Sequence, residues 1–312
     1  MRRRRMGGSG LAVSRLGLGT MLWGRVLGED DCRDLLIAYL EAGGTVLDTA
    51  HSYGDGRSEE LVGSLLREVA RRDDVTICTK AGITRTPEER IVDTSRGGLL
   101  RHLDDSLRRL DADYVDLWLV HTWSDSTPLE ETVGALEYAV TSGRARYVGV
   151  SNYSGWQTAR AYSLLESSRV PLVANEVEFS LVTRDAEDDL VPAAEGLGFG
   201  LLPYSPLGGG VLTGKYRSGV PSDSRAAMRQ FPGFGHDRLD TRSMSIAEAV
   251  STAAAGLGVT ATEVALAWVR DRPGVIAPIV GSRTVAQLRT ALASEDLELP
   301  AEIVAALDEV SD

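Results

Sequence analysis

Eight short apolar runs, alternating with longer stretches of helical spacing, most narrowly limit what this 312-residue chain can fold into. The runs are SRLGLGTM (14–21), TVLDTA (45–50), VTICTK (75–80), YVDLWLVH (114–121), ARYVGVSN (145–152), PLVANEVEF (171–179), FGLLPYS (199–205) and VIAPIV (275–280). Helical spacing recurs between them over 30–41, 58–70, 95–110, 129–142, 156–167 and 185–197. Strands alternating with helices of this length pair in parallel through right-handed crossovers. Eight such units close a barrel, so the chain reads as α/β, a (β/α)8 TIM barrel forming one domain over 1–312. A site in such a barrel lies at the C-terminal strand ends. Ser58, ahead of Glu59 and Glu60, and Asp185, ahead of Ala186 and Glu187, read as helix N-caps. The rhythm breaks over 216–242, where Gly219, Pro221, Pro232, Gly233 and Gly235 predict a long lid or binding loop. Two further helical stretches follow, over 243–257 and 262–270.

Charge and composition exclude several partners. The net charge of −12 argues against nucleic acid, which needs a basic face. No apolar run reaches the roughly 18 residues of a membrane span. The basic start, Arg2 to Arg5, is followed by Met6-Gly7-Gly8-Ser9-Gly10 rather than by an apolar stretch, which disfavours a signal peptide and predicts a cytoplasmic protein. Cys32 and Cys78 are too few for a disulfide framework, and Cys78, inside an apolar strand, reads as a small core residue. No cluster has metal-ligand spacing. Arginine outnumbers lysine, which suggests a GC-rich bacterial genome.

The chemistry gathers at three successive strand ends. DTAHSYGDG places Asp48 five residues before Tyr53; Lys80 ends VTICTK and His121 ends VDLWLVH. Any one of these has an ordinary structural reading: tyrosines pack at rims, lysines are solvated and histidines satisfy buried bonds. Together, in order, they point to proton transfer in a barrel mouth. His51 and His236 have no such support and read as loop histidines. No GxGxxG follows a first strand, and Gly208–Gly210 opens a loop after a proline rather than a dinucleotide-binding helix.

With these residues in view the sequence resembles the aldo-keto reductases, and within them the bacterial and potassium-channel-β-like branch, from about Leu16 to about Leu292. The resemblance implies an NADP(H)-dependent barrel that reduces an aldehyde or ketone, with a short N-terminal hairpin, here the arginine-rich start, covering the barrel bottom. It implies Tyr53 as proton donor, Lys80 and Asp48 as its tuning pair, and His121 as substrate orienter. A nearby cation lowers a phenol's pKa, so Lys80 is expected to depress that of Tyr53. Ser151, Asn152 and the residue at position 176 would hold the nicotinamide carboxamide. Tyr204 would stack on the ring, and Ser205, Leu207 and Gly208 would run along the pyrophosphate. Ser282, Arg283 and Gln287 would meet the adenosine 2′-phosphate, where a guanidinium suits phosphate; a surface charge at a helix start is the plainer reading of Arg283. Trp23, Trp123 and Phe231 would wall the substrate pocket, although tryptophans could equally be core.

Two departures stand out. Thr290-Ala291 replaces the family's usual Glu-Asn at the adenine. Glu176 replaces its usual Gln, placing a carboxylate beside the nicotinamide; an ionised one would favour the cationic oxidised ring, whereas one protonated or paired with a nearby cation would behave as the usual Gln. The resemblance leaves room for a biosynthetic ketoreductase acting on a natural-product or nucleotide-sugar ketone. It also leaves room for a regulatory NADP(H)-binding barrel docked on a partner. Oligomeric state is not readable.

Overall fold

A computed structural model describes residues 1–85, 89–217, 219–222, 224, 227 and 239–312. Phe231 and His236 lie outside the described residues, as does much of the expected lid. The chain opens with a hairpin, β1 (Arg3–Arg5) antiparallel to β2 (Ala12–Ser14). Arg4 anchors it: Nη1 donates to Val275 O at 2.9 Å, and Nη2 pairs with Asp271 at 2.9 Å. Gly8 N donates to Gly198 O just before a barrel strand begins, so the hairpin covers the N-terminal end of the barrel.

The barrel follows in chain order. β3 (Gly17–Gly19), α1 (Glu29–Glu41), β4 (Val46–Asp48), α2 (Arg57–Val69) and β5 (Thr76–Ala81) form its first part. A small antiparallel hairpin of β6 (Ile83–Arg85) and β7 (Arg90–Val92) leads into α3 (Arg96–Leu110). β8 (Val115–Val120), α4 (Leu129–Thr141), β9 (Ala145–Ser151), α5 (Gly155–Ser167), β10 (Leu172–Glu178), α6 (Leu190–Leu197) and β11 (Gly200–Tyr204) continue the alternation. α7 (Thr241–Leu257), α8 (Ala261–Arg270), β12 (Ile279–Val280), α9 (Val285–Ala293) and α10 (Ala301–Ser311) complete it.

All neighbouring barrel strands are parallel, in the order β11-β10-β9-β8-β5-β4-β3-β12. A bridge between Leu201 and Val275 closes the ring. The eight strands are the eight apolar runs of the sequence. Every residue of β4 and β5 is buried, as expected of parallel strands covered on both faces. Among the described residues no single helix is long and apolar enough to cross a membrane.

Several helix starts are locally encoded. Ser154 and Gln157 form a reciprocal capping box on α5, and Thr260 and Glu263 form one on α8. Two expected caps differ. α2 begins one residue before Ser58, with Gly56 at its cap; the Ser58 hydroxyl instead donates to Thr20 O at 3.0 Å, tying the helix to the loop after β3. Asp185 opens a single 3-10 turn, and the helix proper starts at Leu190, after Asp189.

Candidate active site

Register brings the ionisable groups together. Asp48 is the last residue of β4, beside Cys78 of β5. Lys80 sits two residues further along β5, on the same face. Tyr53 opens the turn after β4, and Gly54, Asp55 and Gly56, all with positive φ, hold that turn. His121 directly follows β8, with its N–H bonded to Ala81 O at 2.8 Å.

Lys80 is the hub. Its Nζ donates to Asp48 Oδ1 at 2.5 Å, to Thr49 O at 3.1 Å and to Tyr53 Oη at 3.4 Å. Nζ also lies 3.1 Å from Glu176 Oε2, within ion-pair reach but without hydrogen-bond alignment. Three N–H donors are thus spent on three acceptors, leaving Glu176 a Coulombic partner. Lys80, Asp48 and Glu176 are all buried. One buried cation can balance one carboxylate; a second ionised carboxylate would be an uncompensated buried charge. Asp48 takes the short hydrogen bond from Lys80. Burial and then Asp48 raise the Glu176 carboxyl well above the usual range, with Lys80 opposing. The direction of that shift favours a neutral acid at position 176, the alternative to an anion beside the nicotinamide. Asp48, Glu176 and Cys78 offer ligand atoms within 4.8 Å of one another. The Lys80 ammonium already takes up the space between the two carboxyls.

The Tyr53 phenol behaves differently from the expectation of a depressed pKa. Burial raises it, and the opposing pull of Lys80 does not overcome this. Tyr53 is therefore a protonated donor at neutral pH, with a cation at hand for the phenolate it would leave. Its ring meets that of His121 edge-on, centroids 5.9 Å apart. Burial, followed by Lys80, pushes the imidazole well below its ordinary pKa, so it is neutral.

A cavity of about 570 Å3 opens above this cluster. Asp48, Tyr53, His121 and Glu176 reach it from the barrel, while Lys80 sits behind them. Ser151 and Asn152 line it after β9. Asn152 adopts a left-handed conformation, φ 58°, which asparagine tolerates. From there its Nδ2 donates to His121 O at 2.9 Å and its Oδ1 accepts from Tyr204 Oη at 2.8 Å. These bonds fix the Tyr204 ring at the cavity wall. Ser205 and Leu207 continue the wall, and Ser282, Arg283 and Gln287 line the far end with Thr290 and Ala291. Gln287 Oε1 accepts from the Arg283 backbone at 3.0 Å.

Three expected residues do not reach the cavity. Trp23 is fully buried in the core. Trp123 packs edge-on against Tyr153 and Trp156, centroids 5.2 and 5.4 Å away, and its indole N–H donates to Asp125. Gly208 packs towards Val182, and Gly209 and Gly210 meet the cavity instead. Among the described residues the cavity wall is thus less aromatic than the sequence suggested. Arg85 and Arg90 of the β6–β7 hairpin also line it, and sequence reasoning missed them. The available signal was the pattern ITR-TPEE-RIV, two short strand-like pieces about a turn. His51 lies in the turn after β4, where it is buried with its ring stacked 3.8 Å from that of His102.

A model of the Aldo/keto reductase family matches residues 15–312. The chain belongs to the aldo/keto reductase family. An uncharacterized oxidoreductase, YrpG of Bacillus subtilis (strain 168), is 34% identical over 98% of this chain and 94% of its own length. The L-glyceraldehyde 3-phosphate reductase of Escherichia coli (strain K12) is 35% identical over 92% of this chain and 86% of its own. A probable voltage-gated potassium channel subunit beta of Oryza sativa subsp. japonica is 35% identical over 90% and 87%. Both bacterial and channel-β-like aldo/keto reductases are therefore among its relatives, and the chain stands with the oxidoreductases.

Proposed function

We propose that this protein reduces an aldehyde or ketone with NADPH, with Tyr53 as the proton donor. The observation that carries the reading is the Lys80 ammonium, which bonds both Asp48 and Tyr53 Oη beneath an open cavity. The hydride for the carbonyl carbon would come from a nicotinamide cofactor, when bound. The chain supplies the rest. Tyr53 Oη and the neutral His121 face one region of the cavity and can both donate to a carbonyl oxygen. As negative charge builds on that oxygen, Tyr53 gives up its proton and the phenolate left behind is held by Lys80. Asp48 keeps Lys80 charged and in place. Solvent returns the proton to Tyr53 once product leaves.

The cavity suits an extended dinucleotide. Ser151, Asn152 and the neutral Glu176 offer donors and acceptors for a carboxamide, and Tyr204 offers a ring face. Arg283, at the opposite end, can pair with a 2′-phosphate. Substrates of the kind named for the relatives, small phosphorylated aldehydes among them, belong in the first screen, beside natural-product and sugar ketones.

Tyr53→Phe keeps the ring and removes the proton. Reduction, followed by NADPH absorbance, is expected to fall about 100-fold or more, while NADPH binding by fluorescence titration changes little. Wild-type turnover in this variant would end the mechanism. Binding of NADPH with no turnover of any carbonyl by the native protein would favour a regulatory barrel. Arg283→Ala is expected to weaken NADPH by roughly 1.5–3 kcal/mol and leave NADH nearly untouched. Equal losses for both cofactors would remove Arg283 from the phosphate.

A further inference from the structure

Arg85 and Arg90 are directly opposed in the register of the β6–β7 hairpin. Opposed residues of an antiparallel pair share a face, their Cβ atoms about 5 Å apart, and like charges there are destabilising. Both side chains line the cavity that holds Tyr53 and His121. The chain carries 45 acidic residues against 33 basic ones. Yet among the described residues neither guanidinium has an ion-pair partner. Their field reaches the chemistry: both act, behind burial and Lys80, to lower the pKa of the His121 imidazole. Arg90 is itself lowered by burial and then by Arg85, a sign that the pair is left mutually repelling.

Both side chains are exposed at the rim of the cavity. This pair sits on a hairpin that starts two residues after Ala81, the end of β5, and so beside the catalytic lysine. The cofactor's phosphates do not account for it. Ser282, Arg283 and Gln287 follow β12, which lies three strands round the ring from β5. What remains is the part of the cavity beyond Tyr53 and His121, where a substrate's far end would lie.

We propose that Arg85 and Arg90 form an anion-binding subsite, and that the carbonyl compound reduced here carries a carboxylate or phosphate group remote from its carbonyl. The inference rests on the carbonyl-reductase reading and names its substrate class. Paired guanidiniums suit either anion, each offering a planar fork of donors. Binding the anion also relieves the repulsion across the hairpin, so the free protein is loaded against an empty subsite.

The test compares three ring aldehydes of similar shape: 4-formylbenzoate, 4-formylphenyl phosphate and the neutral methyl 4-formylbenzoate. The native protein is expected to prefer at least one anion over the ester in kcat/KM by roughly tenfold to a hundredfold, the scale of one or two charge-assisted hydrogen bonds. The two anionic arms distinguish carboxylate from phosphate. In Arg85→Gln/Arg90→Gln that preference should collapse to about unity through KM, and added salt should shrink it in the native protein. A native preference for the ester, or a preference that survives the double substitution, overturns the subsite. If no aldehyde is turned over, the reductase reading fails separately. The subsite is then read from calorimetric binding of 4-(hydroxymethyl)benzoate in the presence of NADP+. Binding roughly tenfold weaker in the double variant supports it, and equal binding rejects it. Melting curves of both proteins confirm that the exposed hairpin substitutions leave the fold intact.

Discussion

Glu176 shows how one residue's neighbours decide its chemistry. In isolation it is an acid. Beside Asp48 and Lys80, and buried, its carboxyl is pushed well above the ordinary range. Between the ordinary glutamate value, 4.5, and its raised folded value, the native state holds a proton that the unfolded chain has lost. Stability therefore falls as pH rises through that window. Glutamine has no such proton, so the advantage of Glu176→Gln should grow with pH, by at most about 1.4 kcal/mol per pH unit. Urea unfolding of both proteins from pH 5 to 9 measures it; a constant difference would mean the carboxyl is ionised throughout. The same neutrality predicts that Glu176→Gln leaves the ratio of NADP+ to NADPH dissociation constants unchanged at neutral pH. The residue type was legible in the sequence, and its protonation was not. Protonation depends on Lys80 Nζ lying 3.1 Å away, a contact between β5 and β10 that no local pattern encodes. Asp48, Lys80 and His121 were legible for the opposite reason: each closes an apolar strand, and strand ends are where a barrel places its site.

At the scale of elements, α3 meets the active-site loop through a pair of histidines. His51, two residues before Tyr53, stacks on His102 of α3, and its Nε2 lies 3.5 Å from Asp105 Oδ2. Arg109, from the same helix, donates to His51 O at 3.2 Å and to buried Glu59 of α2 at 3.1 Å. Burial, then the charges of His102 and Arg109, lower the His51 pKa from 6.5 to about 4, with Asp105 opposing. Across that window the folded state holds fewer protons than the unfolded one, so stability is lost as pH falls from 6.5 towards 4. His51→Phe retains the stack without the titration. Its stability should decline less steeply than that of the native protein over the same acid range, measured by denaturant unfolding; parallel declines would assign the acid sensitivity elsewhere. Long periodic elements such as α3, with 15 residues, are visible in the sequence because many residues repeat one choice. The β6–β7 hairpin is three residues a side and offers too few alternations to be told from loop. The placement of Trp123 was illegible for another reason. A tryptophan past a strand end can turn into the cavity or away from it, and Tyr153 and Trp156 decide that for Trp123.

For the molecule as a whole, the ring is uneven. β8 and β9 are in register from Val115↔Ala145 to Val120↔Val150, whereas β12 pairs with β3 only at Ile279↔Gly17 and Val280↔Leu18. On its other side β12's segment meets β11 through Leu201 alone, which donates to Gly274 O and accepts from Ile276 N, both at 2.9 Å. The run VIAPIV looks as strandlike as the others, but Pro278 has no N–H to give, so it shortens the ladder where the barrel closes. The barrel is thus a hoop with a clasp, and a cofactor bound as proposed would fasten it. Tyr204 ends the strand on one side of the join, and Ser282 and Arg283 follow the strand on the other. A dinucleotide lying along the wall would touch both sides. Amides of Leu201, Ile276 and Ile279 should exchange with solvent sooner than those of β8. NADPH at about a hundred times its dissociation constant should slow them by up to about 2.7 kcal/mol of opening free energy, and slow β8 little beyond its global limit. Uniform protection across the barrel would show that the join holds without help; selective protection would mean that the empty protein is partly unbuckled and that cofactor supply sets how long it survives.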